Sequence, residues 1–501
     1  MARPGAVRAL ILGLGASAAI AVEGQATDSS AAIPRNDSAS VSDTVRRISA
    51  DSLTPLIHRR LPNAWDSGNR PPFPGAPLLI TLPAADFPYS LQGGFQSLSM
   101  RQTLMLNAGA TQFGDQTIAW LWYGKTGFWP TVGRIGSEIS FVYLFTYLPP
   151  GDAWLHEEWH RAMLTRRGMG SYDGIYHWDI GAGIISVDHV EDADLAALKD
   201  RHPAEFTRLS EAGAEGEIES VRLMRRRNFF LGRPSQSDAL GWWVSGIGTT
   251  AYLWACTNAD EDGTLRDANQ REKNVSQRDF TGLDFRAWVH DLRRPDESYA
   301  AGPRGRTHPA GSGFDRYLLD SDLTPGEKTF LKWQAGLSIL NLMSGEHLGI
   351  DWMPGSNPWT GSGYLWNFAL THHLTSFGYT VGGEFLARQG KANWVFTVDG
   401  LLNAKLFLPA LGAELFRYPV ALGRKQVYLS GNLSAWLQPE DQLFHTSSVE
   451  PGAMALAGAA VPLGQYLEFF AEADAKTAGW VAGNAYLDAA LQARAGLQLR
   501  L

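Results

Sequence analysis

The stretch Leu487-Asp488-Ala489-Ala490-Leu491-Gln492-Ala493-Arg494-Ala495-Gly496-Leu497-Gln498-Leu499-Arg500-Leu501 places an apolar residue at every odd position. A repeat of two puts successive side chains on opposite faces of an extended chain, so this segment reads as a β-strand. The same alternation recurs upstream. Val427, Leu429, Gly431, Leu433, Ala435 and Leu437 alternate with Tyr428, Ser430, Asn432, Ser434 and Trp436. Leu467, Phe469, Ala471, Ala473 and Ala475 do so against Glu468, Glu472, Asp474 and Lys476, and Phe377, Tyr379, Val381, Phe385 and Ala387 suggest one more strand.

Strands of about ten residues, apolar on one face and joined by short Gly- or Asn-bearing turns, resemble those of outer-membrane β-barrels. Such barrels more often end in Phe than in a residue such as Leu501. A soluble sandwich with one wet face allows the same alternation. Six or seven strands are legible in the last third of the chain, and an even eight would need one more from residues 347–376. Upstream, longer apolar segments such as Gln116–Tyr123 and Ile139–Phe145 read as helices. The expected fold is α+β: a mostly helical domain over 76–345, then an antiparallel β-barrel-like region over 346–501.

A chain of 501 residues with 45% hydrophobic content can bury a sizeable core. Its net charge of −8 gives no reason to expect nucleic acid as a partner. Eighteen Trp and 53 Gly suit membrane-interface girdles and closely packed strands. Cys256 is the sole cysteine, which excludes an intramolecular disulfide and a cysteine metal cluster. At the N-terminus, Arg3 and Arg8 precede Ala9-Leu10-Ile11-Leu12-Gly13-Leu14, and small residues lead to Ala19-Ile20-Ala21. That is the layout of a secretory signal peptide over 1–21, with cleavage expected after Ala21 or, second, Ala26. Residues 22–75, rich in Ser, Asp, Ala and Pro, read as a disordered linker. The expected location is the outer membrane or periplasm of a Gram-negative bacterium.

Chemistry enters at His156-Glu157-Glu158-Trp159-His160, an H-E-x-x-H motif. On a helix the two imidazoles sit four residues apart on one face and can share a metal ion, with Glu157 beside them as general base. Pro149-Pro150-Gly151 and Asp152 provide a helix start, and Gly168 and Gly170 a stop. The competing reading is an amphipathic surface helix with Trp154, Leu155, Trp159 and Met163 inward and its charges solvated. A third ligand is sought on a second acidic helix, where Glu211, Glu215 and Glu219 recur every four residues. Arg222, Arg225 and Arg226 on the following turns could instead neutralise those acids.

Residues 153–226 resemble the gluzincin group of zinc peptidases, in which a downstream helix contributes a Glu as third ligand. The resemblance implies a Zn²⁺ site of His156, His160 and Glu215, with Glu219 as the alternative ligand or a carboxylate holding an imidazole. It also implies Glu157 as catalytic base and a peptide or protein substrate. Ala212, Gly213, Ala214 and Gly216 would let the second helix approach the first closely. Tyr172, Tyr176 and His177 are candidate oxyanion donors.

Other features remain open. Ala239–Thr257 carries no charge and could span a bilayer or lie buried among helices, the latter being preferred. Residues 258–324 read as a polar insertion. Within it Asn258–Gly263 is a poor calcium loop, because Asn269 occupies the position of the bidentate Glu. Thr324-Pro325-Gly326-Glu327 should open a helix running to about Gly345. Glu157-Glu158-Trp159-His160 contains the di-iron unit only once, and His372-His373 read as loop or strand-end residues. The alternative function is a non-catalytic outer-membrane barrel with a helical periplasmic or plug domain, its partner being outer-membrane lipid.

Overall fold

A computed structural model describes residues 79–92, 96–177, 185–231, 236–272, 274, 277–350, 352–356, 362–423 and 425–500. The expected signal peptide and linker lie outside the described residues. The chain runs β1 (Leu79–Phe87), α1 (Met100–Leu121), α2 (Phe128–Thr146), α3 (Asp152–Arg166), the short strands β2 (Tyr172–Asp173) and β3 (Val187–Asp188), α4 (Asp192–Arg201) and α5 (Pro203–Leu231). It continues through α6 (Gln236–Cys256), α7 (Glu261–Arg271), α8 (Asp284–Arg293) and α9 (Pro325–Leu337). The strands β4 (Met353–Ser356), β5 (Gly363–Thr375), β6 (Gly378–Gln389), β7 (Ala392–Leu402) and β8 (Phe407–Leu422) follow. Last come β9 (Lys425–Pro439), β10 (Val449–Pro462), β11 (Leu467–Lys476) and β12 (Ala490–Arg500). The fold is α+β, and the helices and sheet described here belong to one compact unit.

The capping box expected at Thr324 is present: its hydroxyl accepts from the Glu327 amide while the Glu327 carboxylate accepts from the Thr324 amide. That helix ends at Leu337, earlier than expected, and hands over to a 3₁₀ turn at Ser338–Leu342. At α3 the cap is Gly151 rather than Asp152; the Asp152 carboxylate instead accepts from Ser245 and Asn107.

Ten strands form an antiparallel sheet in the order β1-β12-β11-β10-β9-β8-β7-β6-β5-β4. Among the described residues the expected barrel does not close, because β1 and β4 stand at opposite edges of that order. Helices occupy the interval instead. α1 packs on β1, α2 on both α1 and α6, and the 3₁₀ turn joins α6 to β5. β1 itself falls in the part expected to be helical. Its Pro83 interrupts the strand pattern, and the register against β12 shifts between Pro83 and Ala85, where a bulge accommodates the ring.

The sheet is inverted relative to a water-soluble one. Large apolar residues stand on its outer face, among them Leu433 (68% exposed) and Leu491 (76% exposed). The inner face buries charge: Arg417 pairs with Glu468, Arg494 with Asp474, and Glu384 with Arg222, Arg225 and Arg226 of α5. The segment 258–324 is woven into the core rather than appended to it. Trp288 of α8 is fully buried and its indole donates to the Thr375 carbonyl, while Arg286 reaches Asp262 and the Cys256 carbonyl. Among the described residues no helix is long and apolar enough to cross a membrane; α6 packs against α2, α5 and α9.

Candidate metal centre

α3 is not the solvated surface helix its charges allow. Trp154 through Arg166 are all buried, with Glu158 paired to Arg161 inside the protein. The helix lies against α1 and α5. Its approach to α5 depends on small residues, as the sequence implies. A Cβ on Gly213 would sit 2.6 Å from His156 Cε1 and nearer still to Nε2, and one on Gly216 would meet the Trp159 ring at 2.9 Å. The imidazoles of His156 and His160 share one face, their centroids 4.9 Å apart.

The carboxylate that meets them comes from α8. Asp284 Oδ2 lies 3.1 Å from His156 Nε2 and 3.6 Å from His160 Nε2. The edge of a tetrahedron with metal–ligand bonds of about 2.0 Å is about 3.3 Å. The two spacings from Asp284 bracket that edge, and the three atoms lie within 4.8 Å of one another, close enough to share one cation.

The outer ring nitrogens explain why the inner ones converge. His160 Nδ1 donates to the Leu209 carbonyl at 2.6 Å, and a carbonyl can only accept. In the neutral ring that leaves the Nε2 lone pair facing Asp284, and this buried atom has no hydrogen-bond partner. His156 Nδ1 is 2.9 Å from Glu217 Oε1, whose other oxygen accepts from Thr249. His156 thus stands between two carboxylates, which its ring satisfies together only as the doubly protonated imidazolium. A cation between Nε2 and Asp284 would take the place of that second proton and occupy the unpartnered His160 Nε2, and carboxylate- and carbonyl-held imidazoles are the usual supports of metal-binding histidines.

No family model, curated protein or solved structure matches this chain. Function is therefore read from this geometry.

The electrostatics describe a buried acidic nest. Burial would lower His156, but its bonds to Asp284 and Glu217 hold it well above the usual histidine range. Burial would raise Asp284, yet the two imidazoles hold it well below the usual carboxylate range. Glu157 is pushed well above its ordinary value by burial, partly opposed by His156 and reinforced by Asp173, Asp284 and Asp279. Asp279 is raised by burial and by Glu272 and Asp284, while the amides of Thr281 and Gly282 donate to it. The Tyr252 hydroxyl accepts from the Asp284 amide, and its ring lies 6.2 Å from that of His156.

The other residues singled out in the sequence lie elsewhere. Glu215 does not join the imidazoles: Arg208 Nη2 donates to it at 2.8 Å and the Gly483 amide at 2.7 Å. Glu219 pairs with Arg222 and His373. The arginine alternative thus describes this helix better than the ligand alternative. Only Glu217, two residues from each, reaches the site. Tyr176 accepts from the Trp154 indole, and His177 pairs with Asp188 at 3.1 Å beside the Tyr172 ring. His372 and His373 lie near the end of β5.

Asp284, Glu217 and Tyr252 were not found from sequence. The available signal for Asp284 was Gly282-Leu283-Asp284 opening an amphipathic helix, which also describes an ordinary N-terminal helix acid. Gly282 takes a φ of +80°, and its own approach to the Tyr317 ring leaves no room for a side chain.

Proposed function

We propose that this chain is a zinc-dependent hydrolase, of metallopeptidase type, in a bacterial cell envelope. The observation that carries the reading is the convergence of His156 Nε2, His160 Nε2 and Asp284 Oδ2, all buried and within 4.8 Å of one another. Zn²⁺ held there would polarise a scissile carbonyl and make water a stronger nucleophile near neutral pH. Burial and acidic neighbours favour the protonated form of Glu157, one residue along from His156; a dication held beside it would favour the carboxylate, which would then accept a water proton and return it to the leaving amine. Leu209 and Glu217 hold the rings in the tautomer that presents Nε2 inward. Tyr252 and Asp279 brace the start of α8 around Asp284. The resemblance to gluzincins is then limited to the H-E-x-x-H helix, since the third ligand is an Asp on α8 rather than a Glu on α5.

The envelope location is supported by the inverted sheet, whose apolar outer face and charged interior suit a lipid-facing wall. That same observation favours a second reading, a non-catalytic membrane protein whose histidines are structural. Metal analysis separates them. After zinc loading and desalting, the purified protein should hold close to one zinc per chain. His156→Ala, His160→Ala and Asp284→Ala should lose it, and Glu215→Ala should keep it. Glu157→Gln should bind zinc yet fail to cleave an unfolded protein substrate. A wild type that retains no zinc leaves only the structural reading.

A further inference from the structure

Between α5, α1 and the inner face of the sheet lies a cavity of about 300 Å³, within the size range of small-ligand sites. Five arginines line it, and four of them are matched by acids. Arg222 meets Glu219 and Glu384, Arg226 meets Glu384 and Glu414, Arg417 meets Glu468, and Arg101 stands 3.8 Å from Glu472. Arg227 is the exception. It is 4% exposed, its Nη2 donates only to the Thr81 hydroxyl at 3.3 Å, and its Nη1 has no partner among the described residues.

A guanidinium buried without a counter-charge costs several kcal/mol, so a protein that keeps one there usually supplies an anion. Burial and the neighbouring Arg417 together lower Arg227 to about 10, with no carboxylate opposing them. Neutral groups that can bond an oxyanion line the same space: Thr81, Ser430, Asn432 and Gln498. The Gln498 amide already reaches Thr81, placing a second donor beside Arg227.

We propose that this cavity binds a phosphate-class oxyanion, with Arg227 as its principal charge partner. Arginine's planar fork suits two oxygens of such a group at once. The anion is either free phosphate or the headgroup of an anionic lipid reaching in from the surrounding membrane. The site is separate from the metal centre and stands whether or not that centre is catalytic.

The test is thermal unfolding of the intact purified protein in a non-ionic detergent. Three additions are compared at equal ionic strength: sodium phosphate, sodium chloride, and mixed micelles containing phosphatidylglycerol with phosphatidylcholine micelles as control. A saturable rise in midpoint of about 3 °C or more with phosphate but not chloride supports free phosphate as the ligand. A rise with phosphatidylglycerol alone supports a lipid headgroup. Arg227→Gln should abolish either response and raise the midpoint in anion-free buffer, because an unpaired buried charge is gone; Arg227→Lys should keep a weakened response. No anion-specific rise in the wild type overturns the proposal without need of any variant. A full response in Arg227→Gln overturns the assignment of Arg227.

Discussion

Gly213→Ala is the most searching single substitution for the metal centre, because in most helices it would be harmless. Replacing an interior glycine by alanine ordinarily favours an α-helix by about 1 kcal/mol. Here the added Cβ would lie 2.6 Å from His156 Cε1, with two more ring atoms nearer. Carbon atoms in comfortable contact are about 3.5 Å apart, so the ring must retreat by about 0.9 Å or more. His156 Nε2 cannot move that far and keep both its 3.1 Å spacing to Asp284 and the bond from Nδ1 to Glu217. Loss of an outer support alone weakens metal binding about 10- to 100-fold, and a displaced ligand weakens it further. The expected result is zinc affinity at least about 100-fold below wild type, or about 2.7 kcal/mol, measured by competition with a chromophoric chelator. Helix content by circular dichroism should be unchanged. Zinc affinity within threefold of wild type, in a normally folded variant, would refute the packing argument and weaken the site built on it.

Glu217→Ala should reduce zinc affinity by about 10- to 100-fold in the same competition assay, since it leaves all three ligands but frees the His156 ring. Glu215→Ala should retain zinc while costing about 3–5 kcal/mol in denaturant unfolding, because it leaves Arg208 buried beside an amide that has lost its acceptor. Glu384 supplies the pH dependence. Burial raises it, but Arg222, Arg226 and Arg225 outweigh that and hold it well below the usual carboxylate range. A depressed carboxylate contributes its stability above the unfolded value of about 4.3 and loses it as pH falls through the folded value. Stability of the wild type should therefore drop more steeply than that of Glu384→Gln as pH is lowered from about 5; parallel curves would contradict the ion cluster.

What the sequence disclosed follows from the range of the forces involved. The strands β9, β11 and β12 were legible because alternation is a local pattern, visible within a dozen residues. The helix carrying His156 and His160 was legible for the same reason. β1 was hidden because Pro83 breaks its pattern and its partner lies at the far end of the chain. Asp284 was hidden because nothing local distinguishes it; its role comes from α8 packing against α5. The acidic stripe of Glu211, Glu215 and Glu219 misled because charge spacing along a helix does not say which face receives a metal and which receives arginines. Glu217 lies off that stripe, and Tyr252 sits in an uncharged run whose composition points to a buried helix without marking which of its residues meets the site.

The pairing of β1 with β12 has a bearing on how the molecule is made. Gln498 bonds Thr81 across 417 positions of chain, and Leu79 is in register with Arg500. Contacts so far apart carry a large loop-closure cost and form late. A ribosome has therefore to pass residue 500 before this seam can be sewn. A product stopped short of residue 490 would carry two raw strand edges, β1 and β11, each ready to recruit a stranger.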